Sequence, residues 1–221
     1  MSPGREDADA HDHGNTVSDH EHFHQAYAAG ASPPWDIGRP QAALVGAGRR
    51  GWITGRVLDV GCGTGEHALY FAAAGLEVVG VDVVPAAIER AVAKTSERRL
   101  SSPPRFVVAD VLTRPPALFD RQFDTVIDMG FFHTLSDPER DAWRSVLADL
   151  LAPGGAYVMV CFSDLVPGGC GPRRISKADI RETFDQRDGF VVADLERTEI
   201  ESQRGDQATA IPAWRARVRR T

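Results

Sequence analysis

Val57-Leu58-Asp59-Val60-Gly61-Cys62-Gly63-Thr64-Gly65-Glu66-His67-Ala68-Leu69 decides how the chain is read. A short apolar run bears an acid, three glycines then alternate, and an Ala/Leu-rich helical pattern follows. That succession predicts a parallel strand, a tight loop and a helix N-terminus. Glycines suit such a loop because side chains would keep a ligand away from the backbone and the helix start. A dinucleotide loop spaces its glycines G-x-G-x-x-G and seats a pyrophosphate on the helix. Here the spacing is G-x-G-x-G, and Asp59 stands just ahead of it. A carboxylate repels a pyrophosphate and attracts an ammonium group.

Two further acids follow at predicted strand ends, Asp82 after Glu77–Val81 and Asp110 after Phe106–Ala109. Three acceptors on the carboxyl edge of three successive strands suit a ligand with an amine, a ribose diol and an exocyclic adenine amine, without phosphate. S-adenosylmethionine (SAM) fits that description. Over roughly residues 35–221 the arrangement resembles the class I SAM-dependent methyltransferases. The resemblance implies SAM as cofactor and S-adenosylhomocysteine as product. It also implies a cofactor site made from Trp35, Asp59, Gly61, Cys62, Gly63, Asp82, Val83, Asp110, Val111, Asp128 and Met129, with Asp110 and Val111 at the adenine edge.

The elements beyond the loop alternate. Helices are expected over Thr64–Ala74, Ala86–Arg99, Asp137–Leu151 and from the capping-box-like Ser176-Lys177-Ala178-Asp179 through Phe184. Strands are expected at Phe123–Asp128 and, after a Pro153-Gly154-Gly155 turn, at Ala156–Phe162. Two last strands, about Phe190–Glu201 and Ala208–Arg219, close the chain. This is an α/β pattern, a doubly wound Rossmann-like sheet with helices on both faces and an antiparallel last strand. The resemblance implies seven strands in the order 3-2-1-4-5-7-6. Glu89, Lys94, Glu97 and Arg98 are expected on the solvent side of their helix.

Composition narrows the partners. The 221 residues suit one domain with a tail, and 43% hydrophobic residues suffice for a sizeable core. Residues 1–24 carry six acids against Arg5; the other 25 acids face 24 bases, so the body is nearly neutral. That speaks against nucleic acid, which asks for a basic face. Arg215, Arg217, Arg219 and Arg220 alternate with Trp214, Ala216 and Val218, which reads as a solvated strand face rather than a binding patch. Cys62, Cys161 and Cys170 are an odd number without metal spacing and read as reduced thiols of a cytoplasmic protein. Neither a leader peptide nor a membrane span is expected. The expected partner is a small-molecule acceptor, and the expected state a monomer or homodimer.

Residues 1–18 are polar, acidic and His-bearing, and are expected to be disordered, ahead of a single domain over 19–221. His20 and His24 lie four apart, a usable metal geometry, yet with His11, His13 and His22 they form no specific ligand set, so no metal is expected. Residues 19–48 are expected to cover the cofactor. Asp19–Ala29 reads as a helix with Phe23 and Tyr27 on one face, and Pro40 is placed to open a short helix through about Ala47. Pro34-Trp35-Asp36-Ile37-Gly38-Arg39-Pro40-Gln41 resembles the segment that folds over the methionine end of SAM in the thiopurine, halide/thiol and tellurite-resistance methyltransferases. With Asp59–His67 and Gly171-Pro172-Arg173-Arg174-Ile175-Ser176, it also resembles actinobacterial methyltransferases of heterocyclic and quinone-like compounds. By that resemblance Trp35 covers the sulfonium and Phe23 and Tyr27 line a lid. The other reading makes Trp35 a core anchor.

The chemistry is expected beyond the fourth strand, at Asp128-Met129-Gly130-Phe131-Phe132-His133. Motifs for amide methylation (Asp/Asn-Pro-Pro-Phe/Tyr), for pyrimidine carbon methylation (Pro-Cys) and for catechol magnesium sites are missing there. What remains is methylation of O, N or S in a small heteroaromatic molecule held by Phe131, Phe132, Tyr27 and the 163–174 loop. Thiol, halide or tellurite methylation and an idle SAM-binding protein are the alternatives. His133 titrates in a useful range, and two roles stand for it: general base, or packing in the turn. Arg173 and Arg174 either face an anionic acceptor or sit on a surface loop.

Overall fold

The computed structural model describes residues 20–28, 32–113, 121–168, 172–185 and 189–221. The tail expected over 1–18 and Cys170 lie outside these residues. The run at Val57 forms β1 (Arg56–Val60), which pairs in parallel with β2 (Glu77–Asp82) and β4 (Phe123–Met129). β3 (Arg105–Val108) extends the sheet beyond β2, and β5 (Leu151–Phe162) extends it beyond β4. The chain closes with a hairpin of β6 (Phe190–Arg204) and β7 (Gln207–Arg220). β7 inserts antiparallel between β5 and β6. The order is β3-β2-β1-β4-β5-β7-β6, as the resemblance implies.

Alternation along β1 sorts the core into two layers. Val57 faces α2 (Ala42–Arg49) and α3 (Glu66–Ala73), joining Leu44, Ala47, Ala68 and Phe71. Leu58 and Val60 face the other side, with Trp143 and Leu147 of α5 (Asp137–Leu150) and Phe184 of α6 (Lys177–Phe184). Trp143, Leu147 and Phe184 are fully buried, each contributing about 1.5–3 kcal/mol of transfer free energy. α4 (Pro85–Arg98) opens on a proline, while Ser136–Glu139 and Ser176–Asp179 close reciprocal capping boxes at α5 and α6. α1 (His20–Ala28) packs through Tyr27 near Val84 and Ala87.

Four local expectations need correction. Pro40 does not open α2; Gln41 is its extended N-cap and the helix starts at Ala42. β5 reaches back through Pro153-Gly154-Gly155 to Leu151, which pairs with Phe123 before the register shifts. Leu151 is wholly buried, which keeps the strand running through the irregularity. Lys94, half-buried, leaves the solvent side of α4 and binds Glu66 at 2.7 Å, while Arg98 stays exposed as expected and reaches the same carboxylate at 2.6 Å. Glu66 is 7% exposed, and a carboxylate that buried needs paired charge. The arginine face of β7 is no free solvated face either. Arg215 and Arg217 pair with Glu196 and Asp194 of β6 and stack over Trp52.

Candidate active site

β1, β2 and β4 deliver their carboxyl ends to one cavity of about 680 Å³, within the range of small-molecule sites. Gly61, Gly63 and Gly65 turn the chain above β1 with φ of +60°, +53° and +81°, a region costly for residues with a Cβ. A Cβ on Gly63 would stand 2.8 Å from the Tyr27 hydroxyl. The absence of a Cβ on Gly63 thus lets the Tyr27 hydroxyl close onto the loop. The Gly63 amide donates to Asp82 Oδ2 at 2.8 Å and the Val84 amide to Oδ1 at 2.9 Å, so the Asp82 carboxylate is aimed by its own loop. Burial raises its pKa against those bonds. At the end of β3, Asp110 Oδ1 accepts from the Leu112 amide at 2.9 Å, and Asp110 and Val111 both line the cavity. Cys62, Val83 and Met129 line it too. Burial, then Asp59 and Asp82, raise the Cys62 thiol well above its usual range, so it stays protonated.

Two expected cofactor residues lie behind the wall. Asp59, 1% exposed, accepts from the Ala68 amide at 3.2 Å and anchors the first turn of α3. Burial raises its pKa strongly. Asp128, wholly buried, accepts from the Phe131 and Phe132 amides at 2.6 and 2.9 Å and from the Tyr157 hydroxyl. Burial lifts its pKa to about 6 in spite of these donors. It shapes the turn that presents Phe131 and His133.

Aromatic rings from residues 20–35 crowd one wall of the cavity. Trp35 Nε1 donates to Tyr27 Oη at 3.1 Å, and the Phe23 ring meets Trp35 edge-on at 6.1 Å. Trp35 is 40% exposed and on the cavity wall, so the core-anchor reading fails. Asp36 accepts from the Thr64 hydroxyl at 2.9 Å, fastening the segment to the glycine loop. Gln41, 2% exposed, exchanges two 2.8 Å bonds with the backbone of Glu201. His67 Nε2 accepts from the Gln41 amide at 3.1 Å, and burial brings its pKa down to about 4. Gln41, Glu66 and His67 carried no assigned role in the sequence. Adjacency to the glycine loop was the one signal available for Glu66 and His67.

The far half of the cavity is apolar: Phe131, Leu135 and Phe162 come from the strand ends, Ile200 and Ile211 from the hairpin. His133 lies among them, its ring 4.4 Å from that of Phe162. Its Nδ1 accepts from the Phe162 amide at 2.9 Å. Burial, with Arg140 and Arg174 nearby, lowers its pKa to about 3. Arg174 lines the cavity beside it and donates to the Pro172 and Pro167 carbonyls. Arg173 turns away to Asp137 at 2.9 Å. Among the described residues no group of three or more His, Cys, Asp or Glu is placed to hold a metal ion.

A parallel sheet offering a glycine cradle and two aimed carboxylates at adjoining strand ends defines a nucleoside-binding Rossmann-like domain. The residues fit SAM: a glycine turn on the cavity wall at Gly61 and Gly63, a held acid for a diol at Asp82 and an acid beside a backbone turn at Asp110. Known proteins agree. Residues 57–155 match the family described as methyltransferase domain. The 2-heptyl-1-hydroxyquinolin-4(1H)-one methyltransferase of Mycobacteroides abscessus is 35% identical over 69% of this chain and 66% of its own, just short of two thirds of its length. A probable thiol methyltransferase of Arabidopsis thaliana is 30% identical over 73% of this chain and 70% of its own. A solved structure described as conversion of a disulfide bond into a thioacetal group during echinomycin biosynthesis is 31% identical. It superposes with a TM-score of 0.79 over 90% of this chain and 92% of that one. The chain belongs to the SAM-dependent methyltransferases.

Proposed function

We propose that the protein methylates O, N or S of a small, flat heteroaromatic molecule, with an acidic ring hydroxyl as the leading case. When bound, SAM supplies an electrophilic methyl group. Methyl transfer then needs a nucleophile held in line and water kept out, and positioning alone is worth effective molarities of about 10⁵–10⁸ M. Asp82 and Asp110 hold the donor's nucleoside. Residues 19–48 form the cover, where Trp35 shields the charged centre with its ring face and Phe23 and Tyr27 exclude water. Phe131 and Phe162 offer the acceptor an aromatic slot.

The observation that carries this reading is the division of one cavity into an acidic half, with Asp36, Glu66, Asp82 and Asp110, and an apolar half whose polar wall groups include His133 and Arg174. The names of the hydroxyquinolinone and thiol methyltransferases support acceptors with an acidic O–H or S–H. Free, buried Cys62 and Cys161 suit a cytoplasmic setting. No described helix is long and apolar enough to cross a membrane. The test is transfer of labelled methyl from SAM to a panel of hydroxyquinolines, phenols, thiols and halides. Turnover concentrated on heteroaromatic hydroxyls supports the reading. Turnover confined to small thiols or halides would replace it, and transfer to none would leave a SAM-binding protein without this activity.

A further inference from the structure

The Phe162 amide decides which nitrogen of His133 faces the acceptor. That N–H points at Nδ1 from 2.9 Å, so Nδ1 keeps its lone pair and a neutral ring carries its proton on Nε2. Nε2 has no protein partner among the described residues, and the ring forms part of the cavity wall. A base at this point needs the opposite arrangement, a free lone pair on Nε2. Reaching it would put a proton on Nδ1, against the Phe162 N–H, and would break that bond. Protonating the ring meets the same conflict.

The charged side chains that bear on the ring are arginines. Arg174 stands on the cavity wall and spends its guanidinium on carbonyls rather than on a carboxylate. Arg140 of α5 is 8% exposed and lies over the Phe132 ring; its Nη1 pairs with the exposed Asp137 at 3.6 Å, while its Nε and Nη2 are buried without a hydrogen-bond partner. These two arginines are the charged groups that act on His133, and both oppose its protonation. Inside a low-dielectric pocket such a field stabilises an anion.

We propose that His133 donates a hydrogen bond from Nε2 to the acceptor's nucleophilic atom, and that this pocket selects acceptors that arrive already ionised, as heteroaromatic oxyanions or thiolates. This rests on the methyltransferase reading of the same cavity. The acceptor's lone pair forms the new bond to the methyl carbon, the carbon–sulfur bond breaks onto sulfur, the two opposite charges cancel, and no proton passes to the protein. His133 and the arginines fix where the anion sits, while proton loss belongs to the acceptor and the solvent.

Two measurements test it. In ¹⁵N-histidine NMR of the full chain, assigned with His133→Gln, His133 should stay neutral with its proton on Nε2 from about pH 5 to about pH 8. A proton on Nδ1 would overturn the proposal without any turnover being measured. In kinetics, His133→Gln keeps an N–H donor without a base and should lose less than about tenfold in kcat. His133→Leu, with no donor, should lose about 10²–10³-fold, the range for one lost oxyanion donor, and should lose it equally for strongly and weakly acidic acceptors. Affinity for S-adenosylhomocysteine should be unchanged in both. Losses that match in the two variants and vanish for acidic acceptors would show a general base and refute the donor role. Wild-type protein that binds S-adenosylhomocysteine but methylates no acceptor would overturn the proposed function instead, leaving the tautomer to the NMR result.

Discussion

Replacing Gln41 by alanine should do far more damage than its place in an irregular segment suggests. The Gln41 amide acts as a piece of strand: Nε2 donates to the Glu201 carbonyl and Oε1 accepts from the Glu201 amide, both at 2.8 Å. A typical hydrogen bond contributes about 1 kcal/mol net, and a buried group left without a partner costs about 1–3 kcal/mol. Gln41 is 2% exposed, so water has little room to take over, and Gln41→Ala should cost about 3 kcal/mol. For a domain of this size that is a fall in Tm of roughly 6–12 °C. Arg39 also pairs with Glu201, but its side chain is 57% exposed, and Arg39→Ala should cost less than about 1 kcal/mol. Scanning calorimetry on both variants separates the two. A Gln41→Ala Tm within about 2 °C of wild type, or above that of Arg39→Ala, would refute the idea that this bridge holds the segment of Trp35 and Asp36 in place. Titration with S-adenosylhomocysteine should show weaker binding by Gln41→Ala, since the same segment carries Trp35 and Asp36.

Asp82→Ala should weaken SAM binding by about 1.5–3 kcal/mol, the range for hydrogen bonds to a charged group, and unchanged calorimetric affinity would remove Asp82 from the site. His67 titrates near 4 in the folded chain and near 6.5 when unfolded. Between those values the unfolded state binds more protons, so this group lowers stability as pH falls, by about 2 kcal/mol at pH 5. Asp128, raised to about 6, acts in the opposite sense over an overlapping range, so the comparison must be with a variant. The drop in urea midpoint from pH 7 to pH 5 should be smaller in His67→Gln than in wild type, and equal drops would rule His67 out as the cause.

The glycine loop and the strand-end acids were legible because the chemistry there is local. Each glycine occupies a left-handed turn position, and Asp82 and Asp110 stand at or just beyond strand tips, where either parity reaches the cavity. Parity explains the two misplaced acids. Asp59 is one residue short of the end of β1 and points with Val57 towards α3. Asp128 is one short of the end of β4 and points into the layer of Tyr157. The alternation was available in the sequence, but the exact strand ends were not. The capping boxes at Ser136 and Ser176 are local and showed in the pattern, at least as a helix start. Contacts between distant segments left no such trace. Gln41 and Glu201 are 160 positions apart, and nothing in either neighbourhood names the other. The His133 tautomer was hidden for the same reason, since it depends on an amide of β5.

The insertion of β7 between β5 and β6 bears on how the protein is made. During synthesis the glycine loop, Asp82 and Asp110 leave the ribosome early, together with the strands that carry them. β6 follows, yet it has no neighbour in the sheet until β7 arrives to bridge it to β5. Glu201, which grips Gln41, and the amide of Gln203, which donates to the Pro34 carbonyl at 2.8 Å, both belong to that waiting strand. A segment made before the sheet is therefore fastened by a strand made after most of it. A chain that stops before β6 has the glycine loop but lacks the partners of Pro34 and Gln41, so the segment of Trp35 waits, untied at these points, for a strand made long after it.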